Sequence, residues 1–198
     1  MIGLRIQLHT LDSDMATAWA KAFEGVSDVT VVEGDILVGR CDALVSPANS
    51  FGYMDGGLDL AYLRYFGSQL QAAVRTKIRS DFHGELPVGQ AAVVSTCHEC
   101  VPFLVVAPTM RIPEKIGGTV NAYLAFRAAL LATIARNARD AGSIKSLHVP
   151  ALGTEIGAMP LTRAARQMRA AYDSVFRDPD WLKDPTAILM HHEYLRTV

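Results

Sequence analysis

GDILVGRCDALVSPANSFGYMDGGLD, residues 34–59, decides how the rest of the chain is read. It passes from one aspartate, Asp35, through a short apolar run at 43–45 to an asparagine, Asn49, and then to a glycine-rich turn that closes on a second aspartate, Asp59. An uninterrupted apolar run of that length suits a strand buried on both faces. Polar side chains at its end, followed by glycines opening a helix, make a mouth suited to a charged nucleotide. A second loop, PALGTEIGAMP at 150–160, again lies between an apolar strand and a helix. Its glycines allow close approach of the main chain, and N–H groups at a helix start attract phosphate. Neither loop carries the lysine of a phosphate-hydrolysing P-loop.

Outward from these loops, strands and helices alternate. Strands are expected at 4–8, 29–32, 43–45, 91–94, 103–107, 147–149 and 187–190, with 29–32 and 43–45 both buried. Helices are expected from a cap at Asp12 or Ser13 to a stop near Gly25, from Leu58 to Gly67, and through Leu70, Ala73, Val74 and Ile78. Two more follow, at 119–141 closed by Gly142 and at 161–176 behind Pro160. This alternation predicts a three-layer α/β/α sandwich around a mostly parallel or mixed central sheet, with ligands beyond the carboxyl ends of the strands.

The chain has 198 residues, half of them hydrophobic and only 20% charged. That composition fits a single folded domain over 1–198 and disfavours disorder. A net charge of −1 supplies no basic stripe, so sequence-specific nucleic-acid binding is not expected. The N-terminal residues alternate and meet acids early, and no run reaches the roughly 20 apolar residues of a span, so neither a secretory leader nor a membrane segment is expected. Three cysteines, an odd number, do not describe a disulfide framework and point to free thiols in a reducing cytoplasm. Cys97-His98-Glu99-Cys100 offers two thiolates for zinc, with Cys41 or His191-His192 as conceivable completions. A closed site needs about four ligands, however, and an ordinary turn between strands is preferred. No metal or cofactor is expected, and the protein is expected to be a monomer.

Four pieces in order carry a resemblance to a known family: Gly34-Asp35-Ile36, Ser46-Pro47-Ala48-Asn49, Gly56-Gly57-Leu58-Asp59 and Pro150-Ala151-Leu152-Gly153-Thr154. Together they make residues 29–176 resemble a macro domain, the α/β/α module that recognises ADP-ribose. The resemblance implies that Asp35 selects adenine with help from the Ile36 amide. It implies that Gly56, Gly57, Gly153, Thr154, Glu155, Ile156 and Gly157 hold the diphosphate, and that Asn49 orients the distal ribose and a water. Asp59 would position or activate that water, and Met159, Phe51 or Tyr53 would cover the sugar.

Each residue also has a plainer reading: Asp35 as a turn aspartate bonding its own backbone, and Asp59 as a helix cap. The chain departs from the family pattern in Ser46-Pro47, where Asn-Ala is frequent, and in Asp55 and Glu155, where glycine is frequent. The implied activity is removal of mono-ADP-ribose from an acceptor or hydrolysis of an ADP-ribose ester. A non-catalytic reader of ADP-ribose and a binder of another adenine nucleotide derivative are the alternatives.

Overall fold

Apolar runs too short for helices build the centre of the molecule. In the computed structural model, which describes residues 3–197, they form a six-stranded sheet. In chain order the elements are β1 (Arg5–Thr10), α1 (Ser13–Ala22), β2 (Val29–Glu33), β3 (Ala43–Ser46), α2 (Gly57–Phe66), α3 (Gln69–Phe82), β4 (Ala92–His98), β5 (Val101–Val106), α4 (Asn121–Arg139), β6 (Ser146–Pro150), α5 (Leu161–Phe176) and α6 (Pro185–Arg196), with a 3-10 turn at Asp180–Leu182.

The strands lie in the order β2-β1-β6-β3-β5-β4. All neighbours are parallel except β4 and β5, which form an antiparallel hairpin. The sheet is therefore mixed, as expected.

β3 shows why three layers form. Its residues are all buried, and successive side chains point to opposite faces. Ala43 and Val45 join the core that contains Trp19, Phe126, Leu130 and Met168, contributed by α1, α4 and α5. Leu44 joins the core that contains Tyr62, Leu70, Val74 and Ile78, contributed by α2 and α3. Because β1, β2, β3, β5 and β6 run in one direction, the loops leaving their carboxyl ends gather at one edge of the sheet.

Two expectations are corrected. Residues 187–190 are not a strand; they lie in α6, where Asp184 accepts hydrogen bonds from the amides of Thr186 and Ala187 and Pro185 occupies the first turn. A cap followed by proline starts a helix, and four apolar residues are too few to oppose it. The strand at 29–32 exists but is only half-buried, because β2 is an edge strand.

Candidate ligand-binding site

The loops after β1, β2, β3, β5 and β6 enclose a cleft of about 460 Å³, within the range of about 300–1,000 Å³ usual for small-molecule sites. Asp35, Ile36, Asn49, Gly56, Gly57, Asp59, Gly153, Thr154, Glu155, Ile156 and Gly157 all line it. Residues more than a hundred positions apart in sequence therefore meet at one place.

The loop after β6 is held from behind. Ile116, buried beneath it, donates its amide to the Gly157 carbonyl at 2.8 Å, while Met159 donates to Gly153 at 2.9 Å and Ala158 to Glu155 at 2.9 Å. Gly153 has φ +77°, and a Cβ there would lie 2.7 Å from Ile116 Cδ1. At Gly157 a Cβ would lie 2.5 Å from the Gly153 carbonyl oxygen. Glycine is needed at both positions because the loop is packed hard onto Ile116. The amides of Thr154, Glu155, Ile156 and Gly157 donate to no acceptor among the described residues. Four consecutive unengaged donors ahead of α5 make a cradle for an anion.

Opposite this loop, α2 begins at Gly56, whose lack of a side chain leaves the first-turn amides uncapped. Gly57 has φ +53°, and a Cβ there would stand 3.1 Å from Glu155 Oε2. The two glycine loops thus approach each other across the cleft, with Glu155 between them.

The polar side chains of the β2 and β3 loops are engaged differently. Asp35 is exposed and accepts from the Leu37 amide at 2.9 Å, which is the turn geometry of the plainer reading, yet it also stands at the cleft wall. Ile36 beside it is buried. Asn49 folds back on its own loop: Nδ2 donates to the Tyr53 carbonyl at 2.7 Å, and Oδ1 accepts from the amides of Phe51 and Tyr53 at 3.1 and 3.3 Å. Tyr53 lines the cleft and carries Arg75 over its ring at 4.4 Å. Met159, by contrast, is buried in the larger core, so it packs under the loop after β6 and does not line the cleft.

Asp59 is the buried acid of the site. Its Oδ1 accepts from Ser46 Oγ at 2.6 Å, and the residue is 7% exposed. Burial pushes its carboxyl up to about 6; the Ser46 hydrogen bond opposes that rise and the Asp55 charge adds to it. One turn later on the same helix face, the Tyr62 hydroxyl donates to the Val45 carbonyl at 3.1 Å, so α2 is fastened to the end of β3 at two adjacent residues.

Some lining residues gave no sign in the sequence. His9, at the carboxyl end of β1, stacks on His148 of β6 with ring centroids 4.4 Å apart. Both are buried; desolvation lowers the basicity of each, bringing His148 down to about 4, while Asp35 partly restores His9. His148 is thus a neutral strand residue, and His9 brings a neutral imidazole to the cleft wall. Among the described residues five carboxylates line the cleft, those of Asp12, Asp35, Asp55, Asp59 and Glu155, and no lysine or arginine does. An anion held there depends on main-chain amides.

Cys97 lies near the end of β4 and Cys100 in the turn that joins it to β5, and the three cysteines are unpaired thiols. Burial raises the Cys41 thiol to about 12, which keeps it protonated. His191 stacks on Trp181 at 3.9 Å. Among the described residues no three His, Cys, Asp or Glu side chains are grouped to hold a metal, and no helix is long and apolar enough to cross a membrane.

Comparison with known proteins agrees with this architecture. Residues 45–168 match the Macro domain family. An uncharacterized protein of Aeropyrum pernix is 34% identical over 143 residues, which are 72% of this chain and 69% of that protein. Among solved structures, the macrodomain of Mycobacterium tuberculosis DarG superposes with a TM-score of 0.60 at 22% identity, covering 74% of this chain and 90% of that one. The Oceanobacillus iheyensis macrodomain with ADP gives a TM-score of 0.60 at 19% identity, covering 74% of this chain and 75% of that one.

Proposed function

This chain belongs to the macro domain family, and from that premise we propose that its cleft binds ADP-ribose and that Asp59 serves hydrolysis of the bond between the distal ribose and an acceptor. One observation carries the reading: a buried carboxyl brought to about 6 stands in the same cleft as four unengaged consecutive amides. A carboxyl with that affinity for protons is mostly ionised at neutral pH yet basic enough to accept one from water. The O. iheyensis relative, solved with ADP, supports placing a diphosphate in the cleft.

In this reading Asp35 and the Ile36 amide receive the adenine, and the diphosphate lies against residues 153–157 and the start of α2. The distal ribose is left toward Asn49, Tyr53 and Asp59. A water gives its proton to the free Asp59 oxygen while its oxygen bonds to the anomeric carbon. The bond from that carbon to the acceptor oxygen breaks, and an acceptor carboxylate departs with the electron pair. In an ADP-ribose ester the same water adds to the acyl carbon instead, and the ribose oxygen leaves with the electron pair of the broken bond and takes the proton back from Asp59.

A second reading, a reader that leaves its ligand intact, is favoured by Asn49, whose amide is committed to Phe51 and Tyr53 rather than open to a sugar. The two readings part on one experiment. Calorimetric titration with ADP-ribose should show binding that Asp35→Ala weakens. Incubation with a peptide carrying mono-ADP-ribosylated glutamate should release ADP-ribose, at a rate that rises with pH through about 6. Asp59→Ala should lower turnover by about 10²-fold or more, as expected for loss of a general base, and leave binding within a few-fold. Binding without product in the wild-type protein assigns the reader; absence of binding ends both readings.

A further inference from the structure

The residue that departs from the family pattern at position 46 is the one that touches the buried acid. Ser46 closes β3 and is 1% exposed. Its backbone is fixed in the sheet: it pairs with Val106, and its carbonyl accepts from the Ala107 amide at 3.0 Å. The hydroxyl is therefore delivered from a rigid strand, and it meets Asp59 Oδ1 at 2.6 Å. Among the described residues Asp59 Oδ2 has no partner, and Asp59 lines the cleft.

We propose that Ser46 is a positioning residue for Asp59, holding one carboxylate oxygen against the sheet so that the other is presented to the cleft. The catalytic consequence rests on the hydrolase reading above; the positioning itself does not. A serine hydroxyl donates to the ionised form of the acid, so it favours that form against the desolvation that opposes it. The titratable groups facing Asp59 are Asp55 on the preceding loop and Tyr62 on α2. Neither supplies positive charge, so Ser46 is the group that offsets the cost of ionisation. An ordinary docking bond would not need this arrangement, since the Tyr62 hydroxyl on Val45 already fastens α2 to β3.

The test is a carboxyl ¹³C NMR titration of the full chain, with the Asp59 signal identified by its loss in Asp59→Asn. Ser46→Ala should move the Asp59 midpoint up by about one pH unit, the size of a lost hydrogen bond to a charged group. Ser46→Thr, which keeps the hydroxyl, should return it to within a few tenths of a unit. If Ser46→Ala does not fold, Ser46→Cys, with a weaker donor, is titrated in its place and should show a smaller rise in the same direction. An unmoved midpoint in a folded variant overturns the proposal.

With turnover as a second readout, the acid limb of the kcat/KM profile should move with the midpoint while ADP-ribose affinity changes less than about twofold; a limb that stays put removes Ser46 from catalysis. Were the wild-type protein to bind ADP-ribose without turnover, the hydrolase reading would fall, and the titration would still decide the role of Ser46.

Discussion

In the loop after β6 the main chain is buttressed from behind and its donors are left open. In the loop after β3 the Asn49 side chain is already taken. Ile116 packs under Gly153 and Gly157 and fixes a row of amides that meet no acceptor among the described residues. Across the cleft, Asn49 is spent on Phe51 and Tyr53, and Asp59 Oδ1 accepts from the Ser46 hydroxyl. The first arrangement costs little, because amides that line an open cleft are solvated by water until a ligand replaces it. The second stores a cost, since an acid buried beside Asp55 ionises against desolvation. One side of the cleft is thus built for affinity and tolerates side-chain change where the backbone keeps its shape. The other depends on the identity of individual side chains.

The strongest way to break this contrast is to give the buttressed loop a side chain. In Gly157→Ala the new methyl would meet the Gly153 carbonyl oxygen at 2.5 Å and Ile116 Cγ1 at 2.7 Å. A carbonyl in the loop itself cannot step aside without turning the neighbouring amides, so the cradle would be lost along with the packing. ADP-ribose affinity should fall by about 10²-fold or more, and stability by roughly 1–3 kcal/mol, the usual penalty of overpacking. Calorimetry and thermal unfolding read the two effects. Wild-type affinity in this variant would show that the amides of this loop do not hold the ligand.

The opposite outcome is expected at the acid. The Asp59 carboxyl is raised in the folded chain from 3.8 to about 6, so folding takes up protons. The stability linked to this group is fully present below pH 4 and is lost as pH rises through 6. Asp59→Asn cannot ionise and still accepts from Ser46. It should match wild type near pH 4 and be more stable at pH 8, by on the order of 2 kcal/mol. Denaturant melts at the two pH values give the comparison; an equal difference at both would mean that ionisation of Asp59 carries no cost.

How much of this could be read from the sequence follows from how local each feature is. The apolar run 43–45 and the glycines at 56–57, 153 and 157 are local signals; the run becomes β3, and the mixed sheet brings the two glycine loops to one cleft. At 187–190 another local signal, the Asp184-Pro185 helix start, outweighs four apolar residues.

What escaped the sequence depends on tertiary placement. Ser46 and Asp59 are thirteen residues apart and meet only because α2 docks on β3. Met159 turns inward because the loop folds over Ile116, and His9 reaches the cleft because β1 lies beside β6. Asn49 sits where expected, but its own loop offers two amides and a carbonyl within reach, and these engage it.

The smallest expected effect sharpens the contrast at the point where the two loops face each other. Glu155 is exposed, lines the cleft, and places Oε2 close to Gly57. Its own amide belongs to the open row, so the residue offers a donor and a negative charge at one position. A diphosphate on the amides would lie a few ångströms from that carboxylate, where repulsion through solvent is on the order of 1 kcal/mol or less. Glu155→Gln should therefore tighten ADP-ribose binding by about two- to fivefold at low salt, and the gain should shrink as salt is raised toward a Debye length of about 8 Å. Turnover per bound substrate should stay the same, because the acid lies in α2 on the other side of the cleft. A gain that persists unchanged at high salt would point to altered loop shape instead of charge. Weaker binding would mean that the carboxylate makes a favourable contact with the ligand, and the division between an affinity loop and a side-chain loop would no longer hold.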